Sequence, residues 1–280
     1  MNQKNKKLIK TFSILLAIAL VVCWVIYDNE NVRATEITLK IENLPEDFSG
    51  CKIVHVSDLH NVELGDNNED LLSLIREASP DVIFFTGDII DGQKPDIPVA
   101  AEFINAAAEI APVYYVMGNH DPHGAGETYP EGVIFNENIT VLHNEDVFWQ
   151  MGESKIQIIG IDDPMYVSAE NEEEYIRSQI EGYKDSEYFK ILLSHRPEQF
   201  DVYVENDMNL VFSGHAHGGQ FRLPFIGGLY APHQGKFPKY DSGVHSENNT
   251  NLVVSRGLGN STFPIRLNNS PEVIIITLEK

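Results

Sequence analysis

The sequence is poor in cysteine and in positive charge. Its 280 residues include 2 cysteines, Cys23 and Cys51, which excludes a cysteine-based metal cluster and argues against a structural disulfide. Lysine and arginine number 20 against 42 aspartates and glutamates, and the formal net charge is −22. A surface this acidic repels polyanions, so we expect no nucleic-acid partner. With 42% hydrophobic residues, the chain is nevertheless typical of a globular protein with a core.

Charge is also absent from one long apolar run, residues 11–27. As a helix this run would measure about 25 Å, the short end of a membrane span. Four lysines precede it and acids follow it, which favours membrane targeting over a buried core helix. We expect residues 1–34 to form an N-terminal membrane anchor or signal segment, with one domain over residues 35–280. Because positive charge stays inside, that domain should lie on the extracytoplasmic face, and it is secreted if the segment is cleaved.

Five short apolar runs, each followed by aspartate, asparagine or histidine, organise the rest of the chain. Such runs predict strands that are buried on both faces. They are Lys52–Val56 before Asp58 and His60, Asp81–Thr86 before Asp88, Pro112–Met117 before Asn119 and His120, Phe189–Ser194 before His195, and Asn209–Ser213 before His215 and His217.

Helical patterns separate these runs, and the alternation predicts a mainly parallel sheet whose ligands lie beyond the carboxyl ends of its strands. We expect a second sheet from residues 140–161 together with the C-terminal segments NLVVS and EVIIITL. The predicted fold class is therefore α/β. It is a two-sheet β-sandwich flanked by helices, with four layers in the order α-β-β-α, preceded by one N-terminal transmembrane helix.

The residues after the runs make a set of candidate metal ligands that mixes hard oxygens with imidazoles. The set suits Mn²⁺, Zn²⁺ or Fe, and seven side chains fit two ions that share a carboxylate. Two divalent ions about 3.5 Å apart repel by roughly 19 kcal/mol at an effective dielectric of 20, so a bridging anion is needed. Asp88, after a central strand, is the natural bridge. The candidates are Asp58, His60, Asp88, Asn119, His195, His215 and His217.

The motif order D-x-H, GD, GNH(D), H and G-H-x-H resembles that of the calcineurin-like metallophosphoesterases, over residues 51 to about 278. The resemblance implies their four-layer fold and a metallophosphoesterase catalytic domain. It also implies two metal positions and a histidine general acid, His120. Asp91 matches the acid that orients this histidine in the serine/threonine phosphatase branch. By this resemblance the first metal takes Asp58, His60, Asp88 and His217, and the second takes Asp88, Asn119, His195 and His215.

The segments around HAHGGQFRLP and SRGLG are similar to a bacterial membrane-associated subgroup, which includes phosphodiesterases of lipid-linked envelope precursors. We therefore expect a dinuclear enzyme that hydrolyses phosphodiester or pyrophosphate bonds through a metal-bridging hydroxide, on an envelope, lipid-linked or other phosphorylated substrate. A broad-specificity phosphomonoesterase or nucleotide phosphodiesterase is the alternative. The alternative from another class is a non-catalytic, metal-stabilised protein that binds cell wall or membrane.

Substrate contacts are predicted from their position next to the motifs. Arg196, Arg222 and Arg256 are candidate phosphate contacts because a guanidinium grips phosphate bidentately. His123, shortly after His120, is a candidate substrate-facing residue. The remaining acids and histidines are expected to be structural: His55 in the core, His143, His233 and His245 at the surface, and Asp162 and Asp163 in a polar turn.

Overall fold

A computed structural model of the protein describes residues 3–121, 136–165, 167–260 and 263–280. The helices in chain order are α1 (Gln3–Glu30), α2 (Glu69–Ala78), α3 (Ile97–Ala108), α4 (Glu172–Ile180) and α5 (Phe200–Glu205). Helix α1 is long and apolar enough to cross a membrane, and none of the residues in its most apolar stretch is buried. This agrees with the predicted N-terminal transmembrane helix.

The strands form two six-stranded sheets and two short hairpins. In chain order they are β1 (Arg33–Lys40), β2 (Lys52–Val56), β3 (Val82–Thr86), β4 (Val113–Val116), β5 (Ile139–Val141), β6 (Glu145–Met151), β7 (Ser154–Gly160), β8 (Phe189–Leu193), β9 (Leu210–Ser213), β10 (Arg222–Leu223), β11 (Gly227–Gly228), β12 (Tyr230–Ala231), β13 (Gly235–Lys236), β14 (Gly243–Glu247), β15 (Thr250–Val254) and β16 (Glu272–Glu279). The first sheet has the order β1-β16-β2-β3-β4-β5, and the second has the order β14-β15-β9-β8-β7-β6.

The two sheets pack face to face across a shared apolar core. Alternate residues of each strand point to opposite faces, so Phe84 of β3 and Phe212 of β9 meet between the sheets with ring centroids 5.1 Å apart. The outer face of the first sheet packs on α2 and α3, and that of the second sheet packs on α4 and α5. The predicted α-β-β-α sandwich is confirmed.

The assignment of strands to sheets differs from the sequence prediction. The segment EVIIITL is β16 and lies in the first sheet, parallel to β1 and antiparallel to β2. Strand β5 also belongs to the first sheet, whereas β8 and β9 belong to the second. In a sandwich covered by helices, every central strand is buried on both faces. The apolar run therefore predicts a strand without indicating which sheet it joins.

Candidate metal centre

The predicted strand ends meet at one edge of the sandwich, and three of them come from the first sheet and two from the second. Loops from the two sheets are joined there by hydrogen bonds. The backbone N–H of His60 donates to Asp88 O at 3.0 Å, and that of His215 donates to Asp58 Oδ1 at 3.1 Å. The second bond links the end of β9 to the loop after β2. The loops after these strands thus meet at one edge although the strands lie in different sheets.

The backbone is left-handed at five of the seven candidate ligands. A non-glycine residue in this region costs on the order of 1 kcal/mol, and aspartate and histidine tolerate it better than branched residues. Such conformations persist where surrounding contacts impose them, which is common at functional sites. The five are Asp58 (φ 53°), His60 (48°), Asp88 (55°), His215 (64°) and His217 (46°).

Two glycines allow the loops to approach one another. A Cβ on Gly118 would lie 2.2 Å from Asp88 Oδ1, and one on Gly214 would lie 1.9 Å from Ser57 Oγ. Both distances are well below van der Waals contact, so the glycine of each motif is required for the close packing of the loops. In the short motifs GNH and GHAH, the glycine is thus required for steric reasons, in addition to the candidate ligands that follow it.

The candidate ligands form two buried groups. In the first group, ligand atoms of Asp58, His60 and His217 lie within 4.8 Å of one another. In the second, Asp88, His195 and His215 meet the same limit. Asp88 Oδ2 lies 3.2 Å from His195 Nε2 and 3.6 Å from His60 Nε2. This one carboxylate oxygen therefore faces a member of each group.

Unsatisfied polar atoms at the site fit a metal. Both ring nitrogens of His60 and the side-chain oxygen of Asn119 are buried without a hydrogen-bond partner among the described residues. Buried polar atoms without partners are costly, so each such atom requires an explanation. Imidazole nitrogen together with carboxylate and amide oxygen is a donor set that suits Mn²⁺, Fe and Zn²⁺. The residues present therefore fit divalent metal ions.

Burial and mutual charge shift the pKa values at the site. Burial raises the pKa of Asp58 to about 6 and lowers that of His60 to about 4. Burial also disfavours the charged forms of His195 and Asp88, but the attraction between the two side chains is stronger. This attraction raises the pKa of His195 to about 10 and holds that of Asp88 well below its usual range. A metal that takes His195 as a ligand would compete with a proton for its ring nitrogen, so metal binding at this group should depend on pH.

The comparison with known proteins agrees with this geometry. The family of calcineurin-like phosphoesterases matches residues 51–219, which is more than half of the chain. The chain belongs to this family. It is accordingly a phosphoester hydrolase of a kind that uses divalent metals, and the predicted enzyme class is confirmed.

Bacterial and animal relatives cover most of the chain. The "uncharacterized metallophosphoesterase YkuE" of Bacillus subtilis is 35% identical over 89% of this chain and 86% of its own length. "Phosphodiesterase YaeI" of Escherichia coli is 26% identical over 81% and 82%. The "transmembrane protein with metallophosphoesterase domain" of Danio rerio is 27% identical over 89% of this chain and 57% of its own length. Two of the three thus match over more than four fifths of both chains.

His120 lies beside the first group, with its ring centroid 4.8 Å from that of His60. Its Nδ1 accepts a hydrogen bond from the backbone N–H of Gly92 at 3.4 Å. Asp91 precedes that glycine, and its Oδ1 accepts from the backbone N–H groups of Gln93 and Lys94. Asp91 thus closes the turn that holds Gly92 against the histidine. With Nδ1 as acceptor, the neutral ring carries its proton on Nε2.

Asp121 joins the loops after β3 and β4 and was not among the predicted site residues. It is fully buried, and its carboxylate accepts from the backbone N–H groups of Asp88, Ile90 and Gly118 at 2.8, 3.1 and 2.8 Å. Burial and the charge of Asp88 nevertheless raise its pKa to about 7. Its position directly after GNH was the available sequence signal.

The three predicted phosphate-contact arginines all pair with carboxylates. Arg196 is fully buried against Asp163, whereas Arg222 lies 3.2 Å from Asp241 and Arg256 lies 2.7 Å from Glu272. The side chains of Arg222 and Arg256 are 19% and 26% exposed, so both side chains reach solvent. His123, the other predicted contact, lies outside the described residues.

A second layer of residues surrounds His215. Arg196 forms a bidentate pair with Asp163, and its Nη1 lies 3.3 Å from His215 Nε2. His233 stacks on His215 with ring centroids 5.1 Å apart, and its Nδ1 is 2.8 Å from the same Nη1. His233 is exposed, as expected, and Asp163 lies in a polar turn, where it accepts from the backbone N–H of Met165. Neither expectation included the contacts with Arg196 and His215. Asp163 lies three residues after the end of β7, a neighbour of β8, and this position near a strand end could have revealed it.

These residues also make a third cluster of possible ligands, Glu198, His215 and His233. The guanidinium of Arg196 lies 3.5 Å from Glu198 and 2.8 Å from His233, so a cation already occupies the space between them. A metal ion there would be repelled by that charge. The cluster therefore serves the second group instead of forming a site of its own.

Arg266 lies behind His217 and was also missed. It is fully buried, and its Nη2 is 3.3 Å from His217 Nδ1. Its guanidinium donates to the backbone carbonyls of Arg256 and Gly259. Nearby, Asn269 Nδ2 donates to His217 O at 2.8 Å. Neither residue belongs to a motif that the sequence analysis identified, so only the fold reveals them.

Proposed function

We propose that this metallophosphoesterase is a dinuclear phosphodiesterase or pyrophosphatase. The observation that carries the proposal is Asp88, whose Oδ2 faces His195 and His60 of the two ligand groups. A pair of divalent ions there would lower the pKa of a shared water to roughly 7 and hold two phosphoryl oxygens. The first ion is assigned to Asp58, His60, Asp88 and His217, and the second to Asp88, Asn119, His195 and His215.

In this proposal His120 protonates the oxygen that leaves phosphorus. Its ring lies beside the first group, and the N–H of Gly92 at Nδ1 keeps the transferable proton on Nε2. Asp91 orients the histidine through the turn that carries Gly92. A positioned general acid contributes about 10²–10⁴ in rate, and it matters most for a poor leaving group.

Arg222 and Arg256 are the proposed contacts to the substrate phosphate or headgroup, because their side chains remain partly exposed. Arg196, which no solvent reaches, has instead the role of supporting His215. The alanine variants of Arg222 and Arg256 should raise KM about 10-fold by removing one charge-assisted contact each. Steady-state kinetics of both, beside Arg76→Ala on the exposed face of α2, measure this effect. Unchanged KM and kcat in both would remove the assignment.

We further propose that α1 is retained and that the domain faces the extracytoplasmic side. The charge pattern around α1 supports this orientation. Asp28, near the end of α1, is buried and accepts hydrogen bonds from Asn269 and Ser270 of the domain, contacts that cleavage after residue 34 would remove. An enzyme held beside a bilayer suits an envelope or lipid-linked substrate.

The reaction class is tested with bis-p-nitrophenyl phosphate and p-nitrophenyl phosphate, each with Mn²⁺ and with a chelator. A phosphodiesterase should cleave the diester faster, and the chelator should abolish turnover. Preference for the monoester would favour the broad-specificity phosphomonoesterase. Failure to hydrolyse either substrate with Mn²⁺, Zn²⁺ or Fe would favour a metal-stabilised binding protein.

The roles of His120 and Asp88 are separated by two variants. His120→Asn should keep its bound metal but lose about 10²–10⁴ in kcat on a diester with a poor leaving group. Asp88→Asn should lose metal as well as activity, because an amide cannot bridge two ions. Metal content is measured by elemental analysis of the purified chain, with Asp185→Asn at the surface as control. Wild-type turnover by His120→Asn on that substrate would refute the assignment.

A further inference from the structure

The end of α1 is fixed to the loop before β16. Asn29 Oδ1 accepts from the backbone N–H of Arg266 at 2.7 Å, and Asn29 Nδ2 donates to Arg266 O at 2.9 Å. Asp28 accepts from Asn269 and Ser270 of the same loop. Residues 266–270 therefore lie directly against the last turn of the helix.

Next to this junction the domain exposes a set of apolar side chains, here called the apolar rim. They come from the turn between β10 and β11 and from the loop before Arg266. Phe225 is fully exposed in the left-handed conformation (φ 68°), at the tip of that turn. The rim consists of Leu223, Phe225, Ile226, Phe263 and Ile265.

The two parts of the rim are joined to one another. The rings of Phe221 and Phe263 contact at 5.6 Å, and Gln220 Nε2 donates to Phe263 O and Ile265 O at 3.2 and 2.7 Å. The backbone N–H of Arg222 donates to Leu267 O at 2.9 Å. The β10–β11 turn is thus attached to the segment that holds the end of α1.

Charge on this face differs from that of the whole chain. The segments 221–240 and 256–271 contain five lysines and arginines and no aspartate or glutamate, in a chain of net charge −22. Arg266 is buried, and Arg222 and Arg256 pair with Asp241 and Glu272, whereas Lys236 and Lys239 are exposed. An acidic domain is repelled by the anionic surface of a membrane, and the absence of acids from these two segments reduces that repulsion locally. Exposed apolar residues on a face with exposed lysines are typical of a membrane-interface surface.

The aromatic residues of α1 indicate the depth of the rim. Trp24 and Tyr27 are exposed in its last two turns, and such residues favour the boundary between lipid and water. At 1.5 Å per residue, Asn29 lies only about 3 Å beyond Tyr27 along the helix. The loop of Ile265 and Arg266, bonded to Asn29, is therefore held at that boundary.

We propose that the apolar rim inserts into the interfacial layer of the bilayer that α1 enters, as a second membrane contact. The same loops hold His217 through Arg266 and Asn269, so the first ligand group is held close to the lipid surface. This inference depends on membrane anchoring and not on the reaction that the site catalyses.

The test measures tryptophan quenching by lipid in the full chain, reconstituted in vesicles of phosphatidylcholine and phosphatidylglycerol that contain brominated phosphatidylcholine. In the parent chain, quenching of Trp24 reports insertion of α1. Phe225→Trp and Phe263→Trp are then made in a Trp24→Phe background, where Trp149 is the remaining native tryptophan. The emission added by each should fall about twofold with brominated lipid, since interfacial residues lie within some 5–10 Å of the acyl boundary.

Phe148→Trp in the same background is the matched control. Phe148 is also an exposed phenylalanine, 47% exposed, but it lies on β6 at the edge of the second sheet. Its added emission should not change with brominated lipid. The proposal is overturned if Trp24 is quenched while Phe225→Trp and Phe263→Trp respond no more than the control. Because quenching requires no turnover, this result is independent of the proposed phosphodiesterase activity.

Discussion

Each group of metal-ligand candidates is supported by a buried arginine, and the two arginines are held in different ways. Arg196 lies 3.3 Å from His215 and is paired bidentately with Asp163. Arg266 lies 3.3 Å from His217 and donates to backbone carbonyls, with no salt bridge among the described residues. The burial of the two is alike, so the difference is one of charge compensation.

This difference appears in the pKa values of the two guanidinium groups. Burial opposes the charge on both. For Arg196 the contact with Asp163 outweighs burial and raises the pKa above the usual arginine range. For Arg266 burial prevails and lowers the pKa to about 10, with the charge of Asp58 as the leading opposing effect. The second group is thus supported by an independent ion pair, whereas Arg266 depends electrostatically on the candidate ligand Asp58.

The largest effect is expected from breaking the ion pair behind the second group. Asp163→Asn leaves Arg196 buried with Glu198 and Glu172 as its nearest remaining acids, at 3.5 and 3.9 Å. Removing one partner of a buried pair costs about 3–5 kcal/mol, and we expect about 3 because those acids compensate in part. Urea unfolding of the metal-free chain in detergent measures the loss.

An exposed pair provides the control for this prediction. Glu69 and Arg76 on α2 are separated by 2.6 Å, and their side chains are 59% and 48% exposed. Glu69→Gln should lower the free energy of unfolding far less than Asp163→Asn does, because solvent screens such pairs. Equal losses in Asp163→Asn and Glu69→Gln would show that Asp163 does not stabilise Arg196 as described.

A smaller and more local effect is expected behind the first group. Arg266→Lys keeps the charge, but an ammonium lacks the planar fork that reaches the carbonyls of Arg256 and Gly259 together. Changes in residues that support a ligand typically cost about 10–100-fold in metal affinity. We expect a loss of this size for one of two Mn²⁺ sites in calorimetric titration. Arg76→Lys, on the surface of α2, is the control. An equal loss of Mn²⁺ affinity at both sites in Arg266→Lys would contradict the separation of the two ligand groups.

The smallest effect concerns Asp162, the neighbour of Asp163. Asp162 pairs with the half-exposed His143, whereas Asp163 pairs with the buried Arg196. Its hydrogen bond to His143, at 3.0 Å, is the main cause of a raised pKa of that histidine. A raised pKa stabilises the fold below the unfolded value of about 6.5, and this contribution disappears as pH rises through the folded value.

His143→Gln should therefore cost more at pH 5.5 than at pH 8.5. The loss in the free energy of unfolding should be greater at pH 5.5 than at pH 8.5 by about 0.5 kcal/mol. The effect is this small because the imidazole is 44% exposed and solvent screens the pair. Urea unfolding at the two pH values measures it. A larger cost at pH 8.5 would contradict the direction of the pKa shift.

Much of the candidate site was predictable because its residues directly follow strands. All five apolar runs that the sequence identified are strands, and six of the seven candidate ligands after them lie in two close groups. Prediction failed for residues that support the ligands from a distance. Arg266 and Asn269 lie 49 and 52 positions from His217 along the chain, in a segment without a motif. Nothing in the local sequence indicates that contact.

The sequence by itself determined the strands, the apolar helix α1 and the identity of the candidate ligands. These depend on local properties: the polarity of short runs, the steric freedom of glycine in GNH and GHAH, and the donor chemistry of each side chain. Only the tertiary structure decided which sheet each strand joins, which arginine supports which ligand group and how α1 meets the domain. Those features depend on contacts between distant segments, and a strand buried on both faces has the same local pattern in either sheet.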